Sequence, residues 1–205
     1  MRDSALLGLR LTLGGYLATH GAQKLFGSFG GPGLAKAGAG FEHLGLRPGK
    51  AFAALAGGSE LAGGILTAAG AANPLGPVAI AGAMVVASAT HSDKGPMMQK
   101  GGFELPATNL AAAVALAATG PGRYSLDELT GLRLPKVLSG AAVLGASVLT
   151  AFCAVQVLKT KRMIARAEKA LLETDSAPTS SGTPEPARTG EAAEPSIAES
   201  VPAPV

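Results

Sequence analysis

Residues 4–26 read SALLGLRLTLGGYLATHGAQKLF. Apart from Arg10 the first sixteen are apolar, small or hydroxyl-bearing, and the run is long enough for a membrane helix. Arg10 sits in its middle, and His20, Gln23 and Lys24 close it. An ionisable group at mid-membrane costs roughly 2.5–3.5 kcal/mol unless it is paired. Polar residues in such places are where function is sought first.

Working outward, four more apolar stretches follow. The second runs from Lys50 to Ala72 and carries a lone acid, Glu60. The third, Leu75 to Thr90, ends at His91 and is short, about 24 Å at 1.5 Å per residue. The fourth, Phe103 to Thr119, is opened by Glu104 and is mostly alanine. The fifth, Lys136 to Leu158, is the cleanest. Its apolar residues run on continuously, where a soluble amphipathic helix would alternate them with polar ones. The chain is therefore expected to be an all-α membrane protein. Its expected fold is a four-helix transmembrane bundle with an added fifth transmembrane helix.

The connectors are read from their punctuation. The Gly/Pro cluster at 27–33 is a loop, and 34–46 spaces its apolar residues as a short interfacial helix would. The segment 129–135 is a polar connector, and 159–172 is a basic juxtamembrane segment. Residues 173–205 are rich in Pro, Ala, Ser and Glu and lack the apolar surface to fold alone, so a disordered tail is expected there. Ala54, Gly58 and Ala62 form a ladder of small residues suited to close helix approach.

Composition excludes several classes. Net charge is only +3, and no basic stripe is interleaved with aromatics, so nucleic acid is not an expected partner. Cys153 is the sole cysteine, which rules out an intrachain disulfide and a multi-cysteine metal site. His20 and His91 lack local ligand spacing, which argues against a metal centre or haem. Arg10 inside the first stretch, and the poor cleavage site after it, predict a retained span rather than a cleaved signal peptide.

Alternating helix directions bring His20, Gln23, Lys24, His91 and Glu104 to one membrane face. That polar cluster is the candidate binding site. A quinone, whose carbonyls seek such donors at the membrane edge, is its candidate ligand. Counting residues from the ends of their spans places Arg10 and Glu60 at similar depth, which predicts an intramembrane ion pair between them. Basic residues are concentrated on the segments that include 159–169, which predicts that the tail and the polar face are cytoplasmic.

These residues also carry a family resemblance. The stretch LGLRLTLGGYLATHGAQKLFGSFGGPGL at 7–34 is followed by GGSELAGGIL at 57–66. Then come GGFELP at 101–106 and TGPGRYSLDEL at 119–129. In this order they resemble the DoxX family of small bacterial integral membrane proteins, over about residues 4–128. The resemblance implies a four-helix membrane domain at 1–128 in the cell (inner) membrane. The family takes its name from a subunit of an archaeal thiosulfate:quinone oxidoreductase. A mycobacterial member is described as the membrane partner of a superoxide dismutase and a sulfurtransferase. By resemblance, the chain would be the membrane component of a redox or oxidative-stress assembly. It would contact the lipid bilayer and soluble redox or stress enzymes. No residue here is itself a redox centre, so activity does not follow from the motifs. The alternative is a non-enzymatic membrane scaffold or a small-solute carrier.

Overall fold

A computed structural model describes residues 1–175 of the chain. The tail expected at 173–205 lies, beyond Asp175, outside the described residues. Up to Asp175 the chain is helical rather than disordered.

Seven α-helices and three short 3₁₀ turns make up the described residues, with no strand among them. The helices are α1 (Arg2–Phe26), α2 (Gly33–His43), α3 (Gly49–Ala69) and α4 (Leu75–Thr90). They are followed by α5 (Glu104–Thr119), α6 (Leu126–Thr130) and α7 (Lys136–Asp175). Glycines in the left-handed conformation end several of them. Gly27 (φ 73°) closes α1 and Gly70 (φ 64°) closes α3, the conformation that glycine adopts at least cost. The small helix α6 falls inside the polar connector, where no helix is expected from hydropathy. Its signal is a capping box, Ser125 to Glu128. The Ser125 Oγ accepts from the Glu128 N–H at 3.2 Å.

Two helices, α3 and α7, are long and apolar enough to cross a membrane by length and composition. α4 is apolar but shorter. α7 continues without a break through the basic residues 159–169. Its 40 residues make a rod of about 60 Å, against a hydrocarbon core of about 30 Å.

α1 packs on α3, α3 on α4, α4 on α5, and α7 lies against α4. Leu13 and Leu17 of α1, Ile80 and Met84 of α4, and Ala113 and Leu116 of α5 form the main core. A second cluster joins Leu46 to Cys153 and Val157 of α7. The outward side of α7 is apolar and exposed at Val137, Leu144 and Val148.

The α1–α3 contact is made by glycine. A Cβ on Gly14 would sit 2.5 Å from the Gly64 carbonyl oxygen, and one on Gly21 would sit 2.5 Å from that of Gly57. The backbones touch because neither side has a side chain there, the device by which small residues bring helices together. The ladder expected at Ala54, Gly58 and Ala62 is not the one used. Gly58 has nothing within 4 Å of its Cβ position, and Ala62 is exposed. The contact face is rotated by one residue, about 100° of helix, because Gly57 and Gly64 match the seven-residue spacing of Gly14 and Gly21.

Gly64→Ala is therefore expected to cost about 1–3 kcal/mol through overpacking against backbone. Gly58→Ala should be neutral or stabilising, since alanine is the better helix former. Thermal unfolding in detergent checks this, and equal midpoints for the two variants would count against the seam.

Candidate functional site

The glycine seam sets the depth of every polar residue on α1 and α3. Gly14 faces Gly64 and Gly21 faces Gly57, so the helices run antiparallel. Arg10 then meets the end of α3, where a Cβ on Gly70 would collide with its guanidinium. Lys24 meets the Glu60 turn. Two separate polar sites result.

The first surrounds Arg10, which is 2% exposed. Its Nη1 donates to the Pro121 carbonyl at 2.7 Å and its Nη2 to the Tyr124 carbonyl. Asp127, also buried, accepts from the Ala72 and Asn73 N–H groups at 2.7 and 2.9 Å. Its own N–H donates to the Gly70 carbonyl at 3.1 Å. Arg10 and Asp127 thus tie the α5–α6 loop to the turn between α3 and α4. These are backbone carbonyls and amides that no helix satisfies, and a buried one left unpaired costs about 1–3 kcal/mol. The role of this site is architectural. Asp127 escaped the sequence reading because nothing in the hydropathy of a polar connector marks it as buried.

The second site holds the only ion pair buried to this extent among the described residues. The Lys24 Nζ lies 2.5 Å from Glu60 Oε2, and the Glu60 carboxylate is nearly inaccessible. The predicted Arg10–Glu60 pair is not formed. About ten residues of helix, roughly 15 Å, separate the level of Glu60 from that of Gly70, where Arg10 sits. The prediction measured depth from span ends, but α3 begins well beyond the end of α1, so the two ends do not share a level.

The Lys24–Glu60 pair lines a cavity of about 370 Å³. Its walls come from α2, α3, α4, α7 and the loop after α2, and are largely apolar, including Phe41, Leu46, Phe52 and Leu149. The other polar groups on it are few: Ser59, Thr90, His91, Thr150 and the Cys153 thiol. Of the expected cluster, the structure brings Lys24 and His91 to this cavity. The His91 Nδ1–H donates to the Gly101 carbonyl at 2.8 Å, which leaves Nε2 as the uncommitted ring nitrogen.

The other three members do not line the cavity, although His20 stays within electrostatic reach of Lys24 and Glu60. His20 packs edge-on against Tyr16, ring centroids 4.5 Å apart. Gln23 abuts Gly31, whose Cβ position falls against its backbone. Glu104 is exposed and accepts from the Met98 N–H at 3.1 Å, closing the loop before α5. Helix direction puts all five at one end, but Gln23 and Glu104 meet other neighbours. Nothing in the sequence alone assigns Glu60 or the α7 wall to this cavity. Among the described residues no group of three His, Cys, Asp or Glu side chains could hold a metal ion.

Residues 5–93 match the family model described as DoxX. The chain carries a DoxX domain. DoxX is a membrane family, in keeping with the apolar character of α3 and α7. No curated protein and no solved structure matches the chain. The DoxX match spans α1 to α4 and contains Arg10, Lys24, Glu60 and His91. The motif stretches at 101–106 and 119–129 lie outside it, as does α7. One wall of the cavity is thus supplied from beyond the matched DoxX region.

A surface pair fastens α7 to the DoxX region. Lys161 forms an ion pair with Asp93, and this hydrogen-bonded ammonium holds the Asp93 carboxyl below its ordinary value of 3.8. The pairing energy is present above that ordinary value and is lost as pH falls through the lower, folded one. Asp93 is more than half exposed, so Asp93→Asn should cost under about 1 kcal/mol. Amide exchange across 158–166 should rise in that variant at pH 6, and should differ little from the parent once acid has protonated Asp93.

The buried pair makes a sharper prediction. Glu60→Lys or Lys24→Glu alone should cost about 3 kcal/mol or more, since each leaves like charges in contact. Combining them should restore most of the loss in thermal unfolding. Arg10→Glu combined with Glu60→Arg should show no such recovery.

Proposed function

We propose that the cavity beside Lys24, Glu60 and His91 binds the headgroup of a membrane-soluble quinone. In this reading α1, α3, α4 and α5 form a four-helix bundle across the cell (inner) membrane, and α7 is a fifth span. The observation that carries it is a buried ion pair on the wall of an otherwise apolar cavity. A volume of about 370 Å³ falls in the range of small-molecule sites, which pair apolar walls with a few placed polar groups.

The donor set suits such a ligand. The Lys24 ammonium has hydrogens beyond the one shared with Glu60 and can donate to a ring carbonyl. Glu60 holds the Lys24 ammonium in place on the cavity wall. With Nδ1 committed to Gly101, neutral His91 offers Nε2 as an acceptor for the hydroxyl of the reduced ring. The apolar walls exclude water from the ring. A bound quinone would supply two-electron, two-proton chemistry. Lys24, Glu60 and His91 carry no electrons, so these would come from a soluble redox or stress enzyme docked at the polar face. The basic residues of 159–169 favour a cytoplasmic position for that face and for the tail.

Purification in mild detergent, followed by extraction and mass spectrometry, tests the reading. Quinone should be retained by the parent chain. Glu60→Gln and Lys24→Met should each weaken retention about tenfold, equivalent to about 1.4 kcal/mol. If no quinone is retained and added quinone leaves the unfolding midpoint unchanged, the reading fails and a non-enzymatic scaffold is favoured.

A further inference from the structure

A second groove lies where α7 passes from apolar to basic residues. Its volume is about 740 Å³. One wall is the end of α2 and the loop to α3, with His43, Gly45 and Arg47. The other is a face of α7 bearing Lys159, Arg162 and Arg166. These three are spaced by three and four residues, so they share one side of the helix.

The two walls are held together at this level. Gly45 has φ +79°, and a Cβ there would collide with the Thr160 hydroxyl, so the loop touches α7 directly. One residue on, Lys161 is paired with Asp93. The cations of two distant segments thereby face a common space.

That space is short of negative charge. Among the described residues, Arg47, Lys159, Arg162 and Arg166 have no carboxylate partner. Glu42 is the one acid on the groove, and its carboxylate accepts from the Gly49 N–H at 3.2 Å. Four exposed cations and a single acid line the groove, so an anion seated there would relieve the repulsion among the cations. The depth is also informative. Immediately before Lys159, α7 exposes Phe152, Val155 and Leu158. The cations therefore stand where an apolar surface gives way to a charged one.

We propose that this groove binds the phosphate of an anionic phospholipid, with the acyl chains lying along the exposed apolar face of α7. The guanidinium groups of Arg162 and Arg166 suit the two-pronged recognition of phosphate oxygens. The inference rests on α7 spanning the membrane, and not on quinone in the neighbouring cavity. The added helix then has a second task besides walling the cavity: it builds, with the loop after α2, a lipid site that neither makes alone.

Native mass spectrometry of the full chain tests this. Phosphatidylglycerol and phosphatidylcholine of matched acyl chains are titrated separately, and inorganic phosphate in a third arm. Phosphatidylglycerol should bind preferentially. Each surface cation contributes about fivefold in affinity, so Arg162→Gln with Arg166→Gln should weaken phosphatidylglycerol binding about 30-fold. Arg47→Gln, on the opposite wall, should weaken it about fivefold without touching α7. Lys94→Gln with Lys100→Gln, which removes the same charge from the loop before α5, should change it less than twofold. Equal binding of the two lipids, an equal loss in the Lys94 and Lys100 control, or inorganic phosphate binding without lipid preference would overturn the proposal. Recovery of the chain in solution without detergent would remove its basis in a spanning α7. Failure to retain quinone would leave it standing.

Discussion

The seam between α1 and α3 is the constraint on which the remaining structure depends. Gly14 and Gly21 lie against Gly64 and Gly57 with no side chain between the backbones. Two contacts seven residues apart on each helix leave no freedom to slide, because a shift of even one residue would drive a Cβ into a carbonyl. In lipid no hydrophobic force distinguishes one apolar helix face from another, so close packing of this kind decides the pairing. The rest of the polar geometry follows from that register.

It follows in opposite directions at the two ends of the seam. Arg10 is carried to the C-terminal end of α3, where peptide carbonyls from the α5–α6 loop receive its guanidinium. Asp127 completes this end by accepting from the turn after α3. At the other end Lys24 is carried to Glu60. One cation is spent on backbone and closes the bundle. The other is paired with a side chain and remains on a cavity wall. A guanidinium with five donors suits several carbonyls, whereas a compact ammonium suits a single carboxylate. The difference in chemistry matches the difference in role.

α7 gives the DoxX region something its matched stretch does not contain. It packs on α4 and covers the cavity with Leu149, Thr150 and Cys153. It then continues past the apolar stretch, gripped by Gly45 on one side and Asp93 on the other. The same helix therefore encloses an apolar cavity and lines a basic groove, one above the other.

The sequence by itself determined the helical class, the DoxX resemblance and three of the five long apolar helices to within two residues at either end. Those follow from local composition and from Gly and Pro punctuation, which the chain carries along its length. It also singled out Arg10, Lys24, Glu60 and His91 as residues out of place. Which of them meet was decided only by the tertiary structure. Pairing depends on helix register and on rotation about each axis, and an Ala/Gly-rich chain offers several small-residue faces of nearly equal merit. Choosing Gly57 and Gly64 over Ala54, Gly58 and Ala62 required the partner helix to be present. That choice moved Glu60 from Arg10 to Lys24, and left His20, Gln23 and Glu104 outside the cavity that Lys24 and His91 share.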